Sequence, residues 1–302
     1  LLPSMVRRLD PKTPYLPSSP YISSEAFNLA GRIDQNFAPE QHLWGPRGYY
    51  KAPFYTENIA KFVSEIGYHG CPSGESLEKM FDKDFVYPWK NKIDYEWNDQ
   101  WQTKAVRSHP YATETIKRND LMTNQIKCVF TDVPTDLDRF ILASQIIQAE
   151  AKKYFIEFWR MNKFDRNGIL WWNLRDGWPV ISDAIVDYYY TKKLAYHYIK
   201  RVQTDVCVMI GDAKGNGHPV VIVNDTRDQV EGNFSIKDAD TKKVLLSKMF
   251  SISANGKLLE DYLPETDETK LWLIEWEVDG VQYKNHYFVF KPHVELDEYL
   301  KW

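Results

Sequence analysis

The sequence predicts two textures in one chain: a mixed α/β region over 1–203 and an all-β region over 204–302. Three observations carry this. Leu137, Phe140, Ile141, Ser144, Ile147, Ala151, Tyr154, Phe155 and Phe158 recur at three- and four-residue steps, the pattern of one apolar helix face. After residue 203, short runs rich in β-branched and aromatic residues follow one another with turns between them. Asp279-Gly280, between the last two runs, is a strong hairpin signal, because both residues tolerate positive φ.

In chain order, residues 1–52 read as irregular and extended. Pro11, Pro14, Pro17 and Pro20 block helix interiors and remove ladder donors there. A short helix is expected around Thr56–Lys61. Phe62 to Gly67 reads as a short strand, and Ser73 to Phe81 as a second short helix. Residues 82–124 read as irregular, with Trp89, Tyr95, Trp97, Trp101 and Tyr111 scattered through them; a loop that long is more often functional than not. The long helix follows, with Thr135 or Asp136 as N-cap after Pro134 and Asn167-Gly168 as the closing turn. Ile169 to Leu174 reads as a buried strand, and Leu194 to Val202 as a helix with Ala195, Tyr198 and Ile199 on one face. Val206–Ile210, Val220–Val223, Phe234–Ile236, Val244–Ile252, Leu271–Val278 and Gln282–Phe290 are the strand runs of a β-sandwich.

Composition narrows the function classes. A formal net charge of -4 over 302 residues gives no basic surplus for nucleic acid or an anionic membrane. No apolar run approaches the ~18 residues of a membrane span. Cys71, Cys128 and Cys207 are widely spaced and form no CxxC pair, which argues against a disulfide framework or a structural zinc site. The 7 histidines contain no HExxH, so no metal or other cofactor is expected. Gly211 to Gly217 lacks the strand-to-helix context of a phosphate cradle, and there is no GxSxG elbow. Asn224-Asp225-Thr226 and Asn233-Phe234-Ser235 match a glycosylation sequon that arises often by chance. Leu1 to Arg8 does not follow the pattern of a secretory leader, and the expectation is a chain that starts inside a longer protein. The unusual quantity is 15% aromatic residues with 11 Trp and 19 Tyr, which suits either a surface for flat, half-apolar ligands such as sugars or a large aromatic core.

Three segments can carry chemistry. Glu65 ends a short apolar strand and is followed by Gly67, where barrel enzymes place catalytic groups; by spacing alone the reading as a surface or salt-bridged carboxylate prevails over the catalytic one. Trp171-Trp172-Asn173-Leu174-Arg175-Asp176-Gly177-Trp178-Pro179 offers stacking walls beside hydrogen-bonding groups. Alternation turns Trp171 and Trp172 to opposite faces, so one of them is expected to be structural. His42-Leu43-Trp44-Gly45 is a third wall, although a lone His is more often a satisfied structural residue.

These segments, together with Arg8-Leu9-Asp10-Pro11 through Pro17-Ser18-Ser19-Pro20, resemble glycoside hydrolase family 2 and especially its β-mannosidase-like branch. Their order and spacing both fit, from the first residue to the β-rich region. The resemblance implies the C-terminal half of a (β/α)8 TIM barrel over 1–203, followed by an immunoglobulin-like β-sandwich over 204–302. It implies a retaining exo-acting β-glycosidase with Glu65 as nucleophile at the end of the seventh barrel strand. Trp44, Trp172 and Asp176 would line the sugar subsite, and Tyr68 is close enough in sequence to be considered as a donor to Glu65. The acid/base of this family is the Glu of an Asn-Glu pair, and no Asn-Glu occurs in these 302 residues. Little activity is therefore expected of this chain alone. Arg175 stands where mannosidase-like members more often carry Asn, and Gly45-Pro46-Arg47-Gly48 replaces a Trp-His pair. The competing expectation is a non-catalytic carbohydrate-binding or interaction module. Self-association of an incomplete barrel through its open strand edges is a further one.

Overall fold

The computed structural model describes residues 1–31, 37–45, 47–105 and 118–302. Pro46 and Tyr111, both named from the sequence, lie outside the described residues. Helix α1 (Leu2–Leu9) stands where an irregular segment is expected; Pro3 falls in its first turn, where an amide hydrogen has no intrahelical partner to lose. Pro11 to Pro20 is irregular as expected. Helix α2 (Ser24–Ala30) is capped by Ser23, whose side chain accepts from the Ala26 amide, and ends at Gly31 with φ 66°. Strand β1 (Glu40–His42) follows. Helix α3 (Pro53–Thr56) lies before the expected 56–61, because Pro53 starts a helix more readily than Thr56. Strand β2 (Phe62–Gly67) falls where the sequence places it.

Helix α4 (Gly74–Met80) falls within the expected 73–81 and is capped by Ser73. The region expected to be irregular contains a hairpin of β3 (Trp89–Asn91) and β4 (Glu96–Trp97), then α5 (Asp99–Thr103) and α6 (Asp120–Lys127). These pieces are too short to show periodicity and are held by ring contacts. Trp89 and Trp97 lie 4.4 Å apart, and Phe81 stacks on Trp101 at 5.1 Å. Helix α7 (Leu137–Met161) starts at the Asp136 cap and is buried nearly all round from Phe140 to Trp159. Strand β5 (Gly168–Trp172) stops short of the expected Leu174. Strands β1, β2 and β5 form a 3-stranded parallel sheet with β2 in the middle. The connection from β2 to β5 runs through α7, as a parallel pair requires.

Helix α8 (Leu194–Val202) matches its reading. Beyond it lie β6 (Val206–Ile210), β7 (His218–Asn224), β8 (Val230–Asp238), β9 (Val244–Ile252), β10 (Lys257–Leu263), β11 (Lys270–Val278) and β12 (Val281–Val289), then α9 (Leu296–Leu300). Strand β10 escaped the sequence reading, because a register shift between Leu259 and Asp261 breaks its alternation. Two antiparallel sheets, β10-β7-β6 and β12-β11-β8-β9, share one core in which Val208 and Ile222 meet Phe234, Ile274 and Trp276. Asp279-Gly280 turns β11 into β12 with positive φ at both residues.

Helix α7 ties the parallel sheet to this β-rich region through buried polar groups. The Glu150 carboxylate takes His286 Nε2 and the Tyr299 hydroxyl, each at 2.6 Å. Glu157 binds Lys153 at 2.7 Å and the Asn285 amide at 2.6 Å. The aromatic surplus is mostly core: Trp89, Trp97, Trp101, Trp159, Trp272 and Trp276 are all buried.

Candidate active site

Strict alternation from buried Val63 would turn Glu65 into the core. Instead, the ladders on both sides of β2 slip: Gln41 pairs with Val63 but His42 with Glu65, and Val63 pairs with Ile169 but Ile66 with Trp171. One extra residue sits in β2 at Ser64-Glu65. Such a bulge re-aims side chains. Val63 and Ile66 both pack into the core at 0% exposure, while the Glu65 side chain stays 30% exposed on the other side.

Three sequence motifs meet at this carboxylate. The Trp44 indole N–H donates to Glu65 Oε2 at 2.7 Å, and His42 Nδ1 lies 3.4 Å from the same oxygen. The far nitrogen of His42 contacts the Ser19 hydroxyl at 3.0 Å, which brings in the Pro-Ser-Ser-Pro segment. The Trp44 ring meets Trp172 edge-on at 6.1 Å. Gly67 is what lets Trp44 lie over the end of β2: a Cβ there would sit 2.5 Å from the Trp44 ring and 3.1 Å from the Asp183 carboxyl carbon.

Trp44 and Trp172 wall a cavity of about 390 Å³ that Arg47, Arg118, Ser182 and Asp183 also line. Trp172 is 47% exposed, while Trp171 is partly buried and packs against the hydrophobic core, the division that alternation implies. Asp176 is 3% exposed and accepts from the Ser182 hydroxyl, so it touches the cavity wall from behind. Burial raises its carboxyl pKa, with Asp187 and Asp183 adding to the effect. Trp178 lines a different cavity, with Gln102, Thr103 and Ala105. Tyr68 is no donor to Glu65: it is fully buried and its hydroxyl donates to the Gly48 carbonyl. Asn224 of the first sequon is also buried, with its amide spent on Asp228 and Ser253 carbonyls.

The cavity floor is an ion cluster that motif reading missed. Arg47 Nη1 donates to Asp183 at 3.0 Å and to His69 Nδ1 at 3.1 Å, with His69 Nδ1 3.4 Å from Asp183. Burial lowers the His69 pKa against the opposing pull of Asp183. Burial alone would raise the Asp183 carboxyl, but His69 and Arg47 outweigh it and hold it well below the usual range. The Arg47 guanidinium also stacks 4.4 Å from the Trp44 ring centre. Lys152, fully buried on α7, donates to the Trp172 carbonyl. Among the described residues no group of His, Cys, Asp and Glu is arranged to hold a metal ion.

No protein-family model matches the chain. Beta-mannosidase B of Aspergillus niger is 29% identical over 217 residues, which is 69% of this chain and 23% of that protein. Beta-mannosidase B of Aspergillus flavus is 27% identical over the same length. The crystal structure of β-D-mannosidase from Dictyoglomus thermophilum superposes with a TM-score of 0.75 at 25% identity, over 95% of this chain and 34% of that one. The chain is similar to a segment of β-mannosidases of the glycoside hydrolase family 2 type. It spans less than a quarter of the length of the curated relatives it matches, 23%. The exo-chitosanase CsxA of Amycolatopsis orientalis shares the fold alone, with a TM-score of 0.56 at 16% identity over 82% of this chain and 30% of that one. The β-mannosidase-like chain combines helices, a parallel sheet and antiparallel sheets.

Proposed function

We propose that this chain carries the nucleophile side of a retaining exo-β-glycosidase that hydrolyses terminal β-linked sugars. The observation that carries the reading is the bulge that turns Glu65 out of the core, under an indole N–H donor and beside two tryptophan walls. Residues 1–203 form the C-terminal half of a (β/α)8 barrel, with β1, β2 and β5 as its last strands. Residues 204–302 form an immunoglobulin-like sandwich.

Trp44 fixes Glu65 Oε2 at 2.7 Å, which leaves Oε1 to attack the anomeric carbon. The sugar ring lies along Trp172, and Asp176 positions Ser182 at the wall. A retaining enzyme needs a second carboxyl about 5–5.5 Å from the first, protonated for leaving-group departure and then basic toward water. With no Asn-Glu pair in this sequence, that group belongs to sequence beyond it, and the isolated chain hydrolyses poorly. Similarity to the Aspergillus β-mannosidases supports mannosides as the first substrates to try.

The test is a 2-deoxy-2-fluoro-β-mannosyl fluoride applied to the enzyme that carries this chain, followed by peptide mapping. Glu65 should carry the fluorosugar; a label on any other carboxylate overturns the assignment.

A further inference from the structure

Arg118 lines the cavity beside Trp44 and Trp172, yet among the described residues its side chain makes no hydrogen bond or ion pair. The carboxylate lining the same wall, Asp183, is already taken by Arg47 at 3.0 Å and faced by His69 at 3.4 Å. Among the described residues that line the cavity Asp183 is the one carboxylate, and Arg47 takes it. Burial lowers the Arg118 pKa and the Arg47 charge adds to the effect, so its cation is held in a place that disfavours it. An anion arriving in the cavity relieves that cost. The nearby negative group, Glu65, is answered by the Trp44 N–H and by His42.

We propose that the cavity recognises a sugar bearing an anionic oxygen group, a uronate carboxylate or a sulfate ester, with Arg118 as its ligand and Arg47 as the charge behind it. The ligand is a sugar because the walls flanking Arg118 are two tryptophan rings around about 390 Å³, and the proposal rests on the reading of this cavity as the sugar site. The anomeric carbon faces Glu65, and the charged substituent lies at the far side of the ring. A guanidinium fork matches a planar carboxylate with two parallel donors.

The test titrates the 302-residue chain with methyl β-D-glucuronide, methyl β-D-glucoside 6-sulfate and methyl β-D-mannoside, read by tryptophan fluorescence. At low salt the preferred anionic glycoside should bind at least about tenfold more tightly than the neutral one, the scale of a charge-assisted hydrogen bond. The two anionic arms show which group is preferred. Arg118→Gln should bring the ratio close to one, Arg118→Lys should keep part of it, and added salt should reduce it in the native chain. Equal affinities in the native chain, no saturable response to either anion, or an unchanged ratio in Arg118→Gln each overturn the proposal. The two readings fail separately. Charge preference without a fluorosugar label at Glu65 removes the glycosidase reading alone, whereas a label at Glu65 without charge preference removes the anion site alone.

Discussion

Glu65 holds the Trp44 wall of the cavity that Asp183 lines, and the two carboxylates are built in opposite ways. Glu65 lies on a bulge with 30% of its side chain exposed, held by one indole donor and one imidazole. Asp183 is 5% exposed and wrapped by Arg47, His69 and the field of Lys152. An accessible carboxylate with few partners can react; an enclosed one with its charge fully answered holds other groups in place. Position near a cavity does not separate the two roles, but the count and placement of donors does.

The sharpest way to break this contrast is to remove each charge in turn. Asp183→Asn leaves Arg47 buried without its counter-charge, and we expect a loss of about 3–5 kcal/mol of stability in urea unfolding. Glu65→Gln should cost under about 1 kcal/mol, since it disturbs one partly exposed hydrogen bond. The same Glu65→Gln change should lower hydrolysis by the enzyme that carries this chain by about 10³-fold or more. If Glu65→Gln unfolds the protein and Asp183→Asn does not, the assignment of roles is reversed. The Asp183 pKa is depressed on folding. Its stabilisation is thus full above the ordinary carboxylate range and is lost as pH falls, because the unfolded chain takes up the proton first. Asp183→Asn should remove that part of the acid sensitivity.

Lysine 152 sharpens the contrast from the other sign. It lies under Trp172 on α7 with its carbonyl bond, and burial, with Lys193 and Arg47 adding to it, lowers its pKa to about 7. An unfolded lysine titrates near about 10.4. Between those values the unfolded chain holds the proton more often, so stability should rise with pH. We expect a difference of about 1 kcal/mol per pH unit between the native chain and Lys152→Met from pH 7.5 to 8.5. Subtracting the two curves removes the opposite trend of Cys71 and Cys207, whose thiols burial pushes up to about 12 and about 11. A flat difference would mean that Lys152 is not held in this buried, positively charged setting.

What the sequence made legible follows the range of the physics involved. The α7 apolar face, its Asp136 cap and the Asp279-Gly280 hairpin are local signals, and the structure carries each of them. Gln148, Glu150, Lys152 and Glu157 were invisible as buried groups, because their partners, the Tyr68 carbonyl, His286, the Trp172 carbonyl and Asn285 respectively, come from distant parts of the chain. Glu65, Trp44 and Trp172 could be named from motifs, but no periodicity announces the bulge that aims Glu65. Arg47 could have been singled out as a charge three residues beyond Trp44; Arg118 had no local signal at all. Tyr68 shows the opposite error, in which closeness in sequence was taken for closeness in space.

The smallest expected effect concerns the other wall. Trp172 is 47% exposed and meets Trp44 edge-on at 6.1 Å, so its ring has a free face for a ligand and little packing to lose. Trp172→Ala should weaken binding of a neutral methyl β-mannoside to the chain by about two- to tenfold in calorimetry, the range of one aromatic contact. The stability change should stay under about 1 kcal/mol, because the side chain is outside the core. Trp172→Phe keeps a flat face on the same strand and should recover most of the affinity. Binding as tight in Trp172→Ala as in the native chain would place the sugar away from β5. Glu65 would then have Trp44 as its sole aromatic wall.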